Sequence, residues 1–102
     1  MYSYTMGEFK WNIEKNLQLK NNPDRAVCFE DIVSAIENGG LLDDIEHQNS
    51  TKYPHQRIYV VLCNDYIYGV PYVRDEEGVF LKTIYPSRKL TGVYAKGKDN
   101  EN

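Results

Sequence analysis

The chain has 102 residues, 41% of them hydrophobic, and a formal net charge of -3. This length suits one domain, because two cores would each fall near the size at which burial no longer offsets chain entropy. No apolar run approaches the ~20 residues of a membrane span, and the amino terminus lacks the regions of a signal peptide. We therefore expect a cytoplasmic protein without membrane contact, with one domain over residues 1–96 and a disordered tail over residues 97–102.

The first half of the chain predicts a short strand and two helices. Residues 8–11 alternate polar and apolar side chains, and Asn12 then caps a helix over residues 13–21 with Ile13 and Leu17 on its apolar face. The second helix shows apolar residues at i, i+3, i+4 and i+7 and ends at Gly39-Gly40. Its apolar residues are Phe29, Ile32, Val33 and Ile36.

The second half predicts a series of strands. Residues 41–46 are a possible strand, residues 47–55 form a polar loop, and residues 57–63 are apolar on both faces, as in a fully covered strand. Asn64-Asp65 fits a two-residue hairpin turn, and Pro71 predicts a bulge or an edge in the strand that follows. A last strand over residues 79–85 precedes a short helix within residues 87–96.

This order of elements predicts an α+β domain. Two helices would pack on one face of a small, mainly antiparallel sheet, which leaves the other face for a ligand or a partner. The two cysteines, Cys28 and Cys63, lack the spacing of a zinc or redox site, so we predict two buried thiols. His47 and His55 have no second ligand at a suitable spacing, and we predict neither a metal nor another cofactor.

Charge is distributed unevenly along the chain. Residues 1–51 hold nine acidic and four basic residues, whereas residues 52–102 hold eight basic and six acidic ones. Phosphate binding is therefore expected in the second half, while a pI near 5.3 argues against non-specific coating of DNA. The basic run closest to a strand end, Tyr85 to Lys89, suits a phosphate site with a phenol beside it. The alternative is that Arg88 and Lys89 are only a solvated pair.

Four segments in order resemble the BrnT-type ribonuclease toxins of bacterial toxin–antitoxin operons. These segments are FKWN at residues 9–12, VCFEDI at residues 27–32, a Leu-Asp-Asp run that ends in Glu46-His47, and IYPSRKLT at residues 84–91. The resemblance implies a RelE-like toxin fold and metal-independent cleavage of RNA. It also implies inhibition by a cognate antitoxin, with DNA bound only through that antitoxin.

Cleavage of RNA without a metal needs a base for the 2′-OH, a cation for the phosphorane and an acid for the leaving oxygen. Arg88 is the candidate phosphate clamp, because its planar fork can hold two oxygens, and Lys82 is a second cation. His47 is the candidate for proton transfer, since imidazole titrates near neutral pH and the resemblance places a His here. Tyr85 could act as an acid or stack on a base. We expect His47, Lys82 and Arg88 to surround one concave surface.

Two further groups of residues are candidates for binding. Arg57, Arg74 and Lys89 would extend a phosphate track, if the two arginines share a face of the sheet. The tyrosines on one face of the strand at residues 66–72 fit core packing or antitoxin contact better than RNA contact; they are Tyr66, Tyr68 and Tyr72. The competing interpretation of the whole chain is a non-catalytic protein-binding module, which would not need the catalytic candidates to converge.

Overall fold

The computed structural model describes residues 3–6, 8–22, 27–47, 49 and 51–92, and for residues 3–6 it describes the backbone only. Two α-helices, one wide helical turn and seven strands are assigned within these residues. The strands are β1 Ser3–Met6, β2 Phe9–Asn12, β3 Leu41–Glu46, β4 Arg57–Cys63, β5 Tyr66–Asp75, β6 Gly78–Leu81 and β7 Tyr85–Pro86, and the helices are α1 Ile13–Lys20 and α2 Phe29–Ala35.

The strands form one mixed, open sheet in the order β1-β2-β6-β5-β4-β3, with β7 paired to β5 beside the end of β6. Every pair is antiparallel except β2 with β6, which is parallel. The buried residues of α1 and α2 pack with side chains from one face of the sheet to form the core. The α+β class expected from the sequence is confirmed. No helix in the described part of the chain is long and apolar enough to cross a membrane.

Helix α1 begins where the sequence predicts, but it packs on a different face. The side chain of Asn12 accepts a hydrogen bond from the Lys15 backbone N–H at 3.0 Å, as an N-cap does. Ile13 and Leu17 are 40% and 51% exposed, so the expected apolar face points to solvent. The buried residues are Leu19 and Asn16 instead. Asn16 is held inward by polar bonds to the start of α2, which a pattern of apolar residues cannot reveal.

Helix α2 is the better packed helix. Phe29, Ile32 and Val33 are fully buried, as their periodicity predicts. The α-helix ends at Ala35 and continues as one wide helical turn, Ile36–Gly40, in which Gly39 has a positive φ of 92°, so the predicted stop at Gly39-Gly40 is confirmed. Gly40 is required in this turn, because a Cβ there would lie 2.6 Å from the carbonyl oxygen of Leu62.

The hairpin between β4 and β5 confirms the predicted turn at Asn64-Asp65. Both residues have positive φ, 55° and 64°, which matches a two-residue turn whose twist fits the flanking strands. Strand β4 is buried on both faces over most of its length, as expected for a covered strand. The two thiols, Cys28 and Cys63, are free and buried, which confirms that prediction.

The irregularity expected at Pro71 is present on one side of its strand, where no pair joins β5 to β6 or β7 between Tyr72↔Leu81 and Gly69↔Tyr85. Its strand β5 lies between β4 and β6, and its register with β4 runs without a shift from Arg57↔Tyr72 to Cys63↔Tyr66. The Pro71 carbonyl accepts the Lys82 N–H at 2.8 Å, so the missing Pro71 N–H faces the gap between β6 and β7. Proline is tolerated in this central strand because no neighbouring strand needs a donor there.

The last predicted strand is also broken. Strand β6 ends at Leu81, and β7 resumes only at Tyr85, where Tyr85 and Pro86 pair with Gly69 and Tyr68 of β5. A helical turn follows at residues 88–92, inside the short helix predicted for residues 87–96. Residues 93–96 and the predicted tail at 97–102 lie outside the described residues. We call residues 85–92 the strap.

The second face of the sheet is not open, contrary to expectation. Ile58, Val60 and Ile67 point away from the helices, yet they are only 2%, 0% and 3% exposed. Part of the cover is the strap, because the ring of Tyr85 lies directly against Gly69. A ligand or partner therefore has no bare sheet face to use on this part of the molecule.

Candidate functional site

The strap is fixed to the first half of β5 by a small set of hydrogen bonds. The Ser87 N–H donates to the carbonyl of Ile67 at 3.0 Å, and the Ile67 N–H donates to the Thr91 hydroxyl at 3.2 Å. Ser87 also caps the helical turn, since its Oγ accepts the Leu90 N–H at 3.1 Å. The basic run is therefore held at a defined place on the edge of β5.

Arg88 and Lys89 are exposed on this strap. Neither has a carboxylate partner among the residues that the structure describes. Elsewhere in the molecule several cations do, including Lys10 with Glu77 at 2.9 Å and Arg57 with Asp44 at 2.9 Å. An exposed cation without a carboxylate partner can bind a phosphate without first breaking an ion pair.

Tyr85 brings a phenol to the same segment. A Cβ at Gly69 would lie 2.6 Å from its hydroxyl oxygen, so the ring occupies space that only glycine leaves free. Burial raises the pKa of the Tyr85 phenol above its ordinary value. The group therefore stays protonated at neutral pH and can donate a hydrogen bond or a proton.

Lys82 lies just beyond the end of β6. It is exposed, and its Nζ sits 5.3 Å from the centre of the Phe80 ring, which is cation–π distance. Its backbone N–H donates to the carbonyl of Pro71. Lys82 is thus a surface cation on an aromatic neighbour and does not lie on the strap.

His47 follows the last residue of β3. Its ring lies 4.7 Å from the ring of Tyr53, and its Nδ1 accepts the Asn49 N–H at 3.0 Å. Nδ1 is thus engaged by the backbone of its own loop. This loop lies apart from the strap.

The register of the sheet separates these candidates. Strands β3 and β6 end in the same row of the sheet, with β4 and β5 between them, so Glu46 and Leu81, the residues before His47 and Lys82, are about 14 Å apart along that row. Lys82 lies beside Pro71 and Tyr85 beside Gly69, so these two candidates are about 7 Å apart along β5. Ser87, next to Arg88, meets β5 at Ile67, five residues or about 17 Å from Tyr72 in that row. The catalytic candidates therefore do not form one cluster: Lys82, Tyr85 and Arg88 follow one another along the same side of β5, whereas His47 lies two strands away.

The row that contains the ends of β3 and β6 holds a second polar group, which we call the Asp44 network: Asp44, Arg57, Tyr59, Tyr72 and Arg74. The Asp44 carboxylate accepts the Arg57 Nε–H at 2.9 Å and the Tyr72 hydroxyl at 2.7 Å. The Arg57 guanidinium also donates to the Asp44 carbonyl at 2.9 Å. Arg57 is therefore held by a carboxylate, and these hydrogen bonds raise its pKa.

Arg74 belongs to the same face as Arg57, which answers the question that the sequence left open. Arg57 pairs with Tyr72, and Arg74 lies two residues further along β5, so both side chains point to the helix side. The Arg74 Nη1 lies 3.8 Å from the Glu8 Oε1, and the Arg74 Nη2 donates to the Tyr59 hydroxyl at 3.4 Å. Both arginines thus have acidic or phenolic partners, unlike the cations of the strap.

The three tyrosines of β5 are mostly packing residues. Tyr72 is 3% exposed, and its ring stacks on Tyr59 with centroids 3.9 Å apart. Tyr68 is 7% exposed, and Tyr66 packs edge-on against it at 5.6 Å. Core packing was one of the two roles that the sequence favoured for them. Antitoxin contact through these residues stays a prediction, and for Tyr68 and Tyr72 it would require opening the core.

The sequence missed Asp44 and Tyr59, which are central to this network. Asp44 was one acid in an acidic run, and nothing in that run distinguishes it from Asp43. The sequence signal that could have identified Asp44 was its place in a possible strand, β3. Only β4 separates that strand from the tyrosine-rich β5. Only the register, which pairs Asp44 with Tyr59, brings its carboxylate to Arg57 and Tyr72.

Among the described residues there is no group of three or more His, Cys, Asp or Glu side chains that could hold a metal ion. Comparisons with protein-family models, with curated proteins and with solved structures found no match to this chain. The likeness to BrnT-type toxins therefore rests on the four sequence segments alone. A function for the protein has to be inferred from those segments and from the chemistry of the strap.

Proposed function

We propose that the protein is the toxin of a bacterial type II toxin–antitoxin system, an endoribonuclease that cleaves RNA in the cytoplasm without a metal ion. The observation that carries the proposal is the strap, where a fixed segment holds a protonated phenol and two cations that have no carboxylate partner within the described part of the chain. The order of strand, two helices and antiparallel strands also supports a RelE-like fold.

In this proposal Arg88 holds the phosphate oxygens as negative charge develops in the phosphorane. Tyr85 lies three residues away on the strap, and its phenol supplies the proton to the leaving 5′-oxygen. Lys89 adds positive charge for the neighbouring phosphate. His47 and Lys82, together with Arg57 and Arg74, would contact other parts of an RNA that crosses the sheet edge. The 2′-oxygen attacks the phosphorus and loses its proton to solvent, because the strap offers no base among the described residues, and the P–O5′ bond breaks to leave a 2′,3′-cyclic phosphate and a 5′-OH.

The test is cleavage of RNA by the purified protein in the presence of a metal chelator. Arg88→Ala should lower the initial rate about 100-fold, because it removes a cation that stabilises the transition state. The matched control is Lys20→Ala, which removes the same charge from the exposed end of α1. Wild-type rates for a folded Arg88→Ala protein would exclude Arg88 from the mechanism.

A non-catalytic binding module remains the second candidate, and one observation favours it. The proton-transfer candidate His47 lies across the sheet from Arg88, so a base for the 2′-OH is missing from the strap within the described residues. The same assay separates the two functions. Absence of cyclic phosphate ends with every RNA tested, from a protein that still binds its antitoxin, would favour the binding module.

A further inference from the structure

An open pocket of about 290 Å³ lies between α2 and the turn that joins β4 to β5. One wall comes from residues spaced i, i+3, i+4 and i+7, which share one face of the helix and the wide turn. The other wall is the end of β4 and the hairpin turn. The lining residues are Asp31, Ser34, Ala35, Asn38, Leu62, Cys63 and Asn64. The volume is at the lower limit for ligand pockets and suits a single side chain.

Two side chains of the pocket, Asp31 and Asn38, offer hydrogen-bond acceptors. The Asp31 carboxylate accepts the Cys28 N–H and thiol through Oδ2, at 3.2 and 3.3 Å, and its Oδ1 has no partner in the described part of the chain. The Asn38 amide donates to the Ser34 carbonyl at 2.8 Å, which leaves its own oxygen as an acceptor. No lining residue is basic. A guanidinium group, with five donors and no acceptor, complements this lining.

The position of the pocket at the end of α2 also favours a cation. The carbonyl end of a helix carries partial negative charge, and a basic residue in the last turn usually offsets it. Neither α2 nor the wide turn has a basic residue there. Glu37 in the wide turn adds a further negative charge.

The surface beside the pocket points to a protein as the source of that cation. Leu41 and Leu42 follow the wide turn and are each 39% exposed. Leu41 pairs with Val61, the residue before Leu62 of the pocket wall. Apolar side chains around a charged anchor are typical of a protein interface, whereas a small ligand would not use them.

We infer that this pocket receives the side chain of an arginine from a partner protein, with Leu41 and Leu42 in contact with apolar residues next to that arginine. Within the toxin proposal the partner is the cognate antitoxin, and only this identification rests on the proposed function. The pocket itself requires no RNA cleavage.

The probe is the peptide acetyl-Leu-Arg-Leu-amide, added to the ¹⁵N-labelled full chain and followed by NMR. Amide shifts should change at residues 31–38 and 62–64, with a Kd on the order of 1 mM, as expected for one anchoring side chain. The matched peptide with citrulline in place of arginine has nearly the same shape without the charge, and it should bind at least about tenfold more weakly. Equal binding of the two peptides would overturn the inference.

Two variants, Ser34→Lys and Asn38→Lys, place a competing cation in the pocket. Each changes an exposed residue, one on α2 and one in the wide turn. Each should raise the Kd of the arginine peptide at least about tenfold. Ser34→Ala is the control and should bind as the wild type does. Free arginine that bound as tightly as the peptide would contradict a protein partner. RNA cleavage by Ser34→Lys should equal that of the wild type, so this inference and the proposed function can fail separately.

Discussion

The two ends of β5 carry similar residues, but the arginines at one end have acidic or phenolic partners and the cations at the other have no carboxylate partner within the described residues. At the Asp44 network, Arg57 and Arg74 are bound by Asp44, Glu8 and Tyr59 around a stacked and buried pair of tyrosine rings. At the strap, Arg88 and Lys89 have no carboxylate partner among the described residues, and Tyr85 covers a glycine. Both ends combine arginine with tyrosine, but one uses them for packing and the other leaves its cations free to bind.

An arginine near a tyrosine is therefore not by itself a phosphate site. What matters is whether a carboxylate lies in register with the arginine. Asp44 does so for Arg57, through the pairing of β3 with β4. Stability should therefore depend mainly on the Asp44 network, whereas RNA cleavage should depend mainly on the strap.

The largest expected effect on stability is at Tyr72. Tyr72→Ala removes a buried ring that stacks on Tyr59, and we expect a loss of about 3–5 kcal/mol in the free energy of unfolding. Urea denaturation monitored by circular dichroism measures it. Arg88→Ala, at the other end, should change stability by less than about 0.5 kcal/mol. Equal losses of unfolding free energy for Tyr72→Ala and Arg88→Ala would contradict the proposed difference between the two ends of β5.

Tyr72→Phe is the control that separates the ring from its hydroxyl. This variant keeps the stack on Tyr59 and loses only the bond to Asp44, which is a hydrogen bond to a charged group. We expect a cost of about 1.5–3 kcal/mol, below that of Tyr72→Ala. A cost as large as that of the alanine variant would show that the Asp44 bond, and not the stack, holds this end together.

The next effect concerns the glycine beneath the strap. Gly69→Ala places a Cβ within 2.6 Å of the Tyr85 hydroxyl oxygen, so the ring must move, at a cost of about 1–3 kcal/mol. A moved ring should also lower RNA cleavage. The double variant Gly69→Ala/Tyr85→Ala should be less destabilised than the sum of the two single variants, because the clash is gone. Additive costs would show that Tyr85 is not the cause.

Much of the fold could be predicted because its signals are local. The Asn12 cap, the apolar periodicity of α2 and the Asn64-Asp65 turn each depend on a few neighbouring residues, and each is present in the structure. The wrong predictions concern features that depend on a residue far away in the sequence, such as which face of α1 is buried. Asn16 is buried because it accepts the Phe29 N–H at 2.8 Å and donates to Glu30 at 2.7 Å, and so the exposed face of α1 is the apolar one.

The candidate site could be predicted only in part, for the same reason. The strap is continuous in sequence, so Tyr85, Arg88 and Lys89 were recognised together. Convergence with His47 depends on strand order and on the break between β6 and β7, neither of which is encoded locally. Pro71 gave the one hint of that break, since it lacks the donor that a continuous neighbouring strand would need.

A smaller effect is expected from the cap of the strap. Ser87→Ala removes the side-chain acceptor of the Leu90 N–H and should cost about 1 kcal/mol. RNA cleavage should fall with it, because the turn that carries Arg88 is less well held. The matched control is Asn12→Ala, which removes a similar cap from α1 and should leave cleavage unchanged. A fall in cleavage for both variants would mean that general stability, and not the strap, limits activity.

The smallest effect is a dependence of stability on alkaline pH. Burial and the hydrogen bond to Asp44 raise the pKa of Tyr72 above its ordinary value, so the folded protein keeps this phenol neutral. The unfolded chain ionises it at the ordinary tyrosine pKa and releases a proton, so the stability it contributes is full below that pKa and is lost as pH rises above it. Between pH 9 and pH 10.5 the wild type should therefore lose up to about 1 kcal/mol more than Tyr72→Phe, because only the wild type has this phenol. Cys28, whose pKa burial raises to about 11, is present in both proteins and cancels in the difference. Urea denaturation of both proteins at the two pH values measures the effect, and parallel losses would place Tyr72 in contact with water instead of in the Asp44 network.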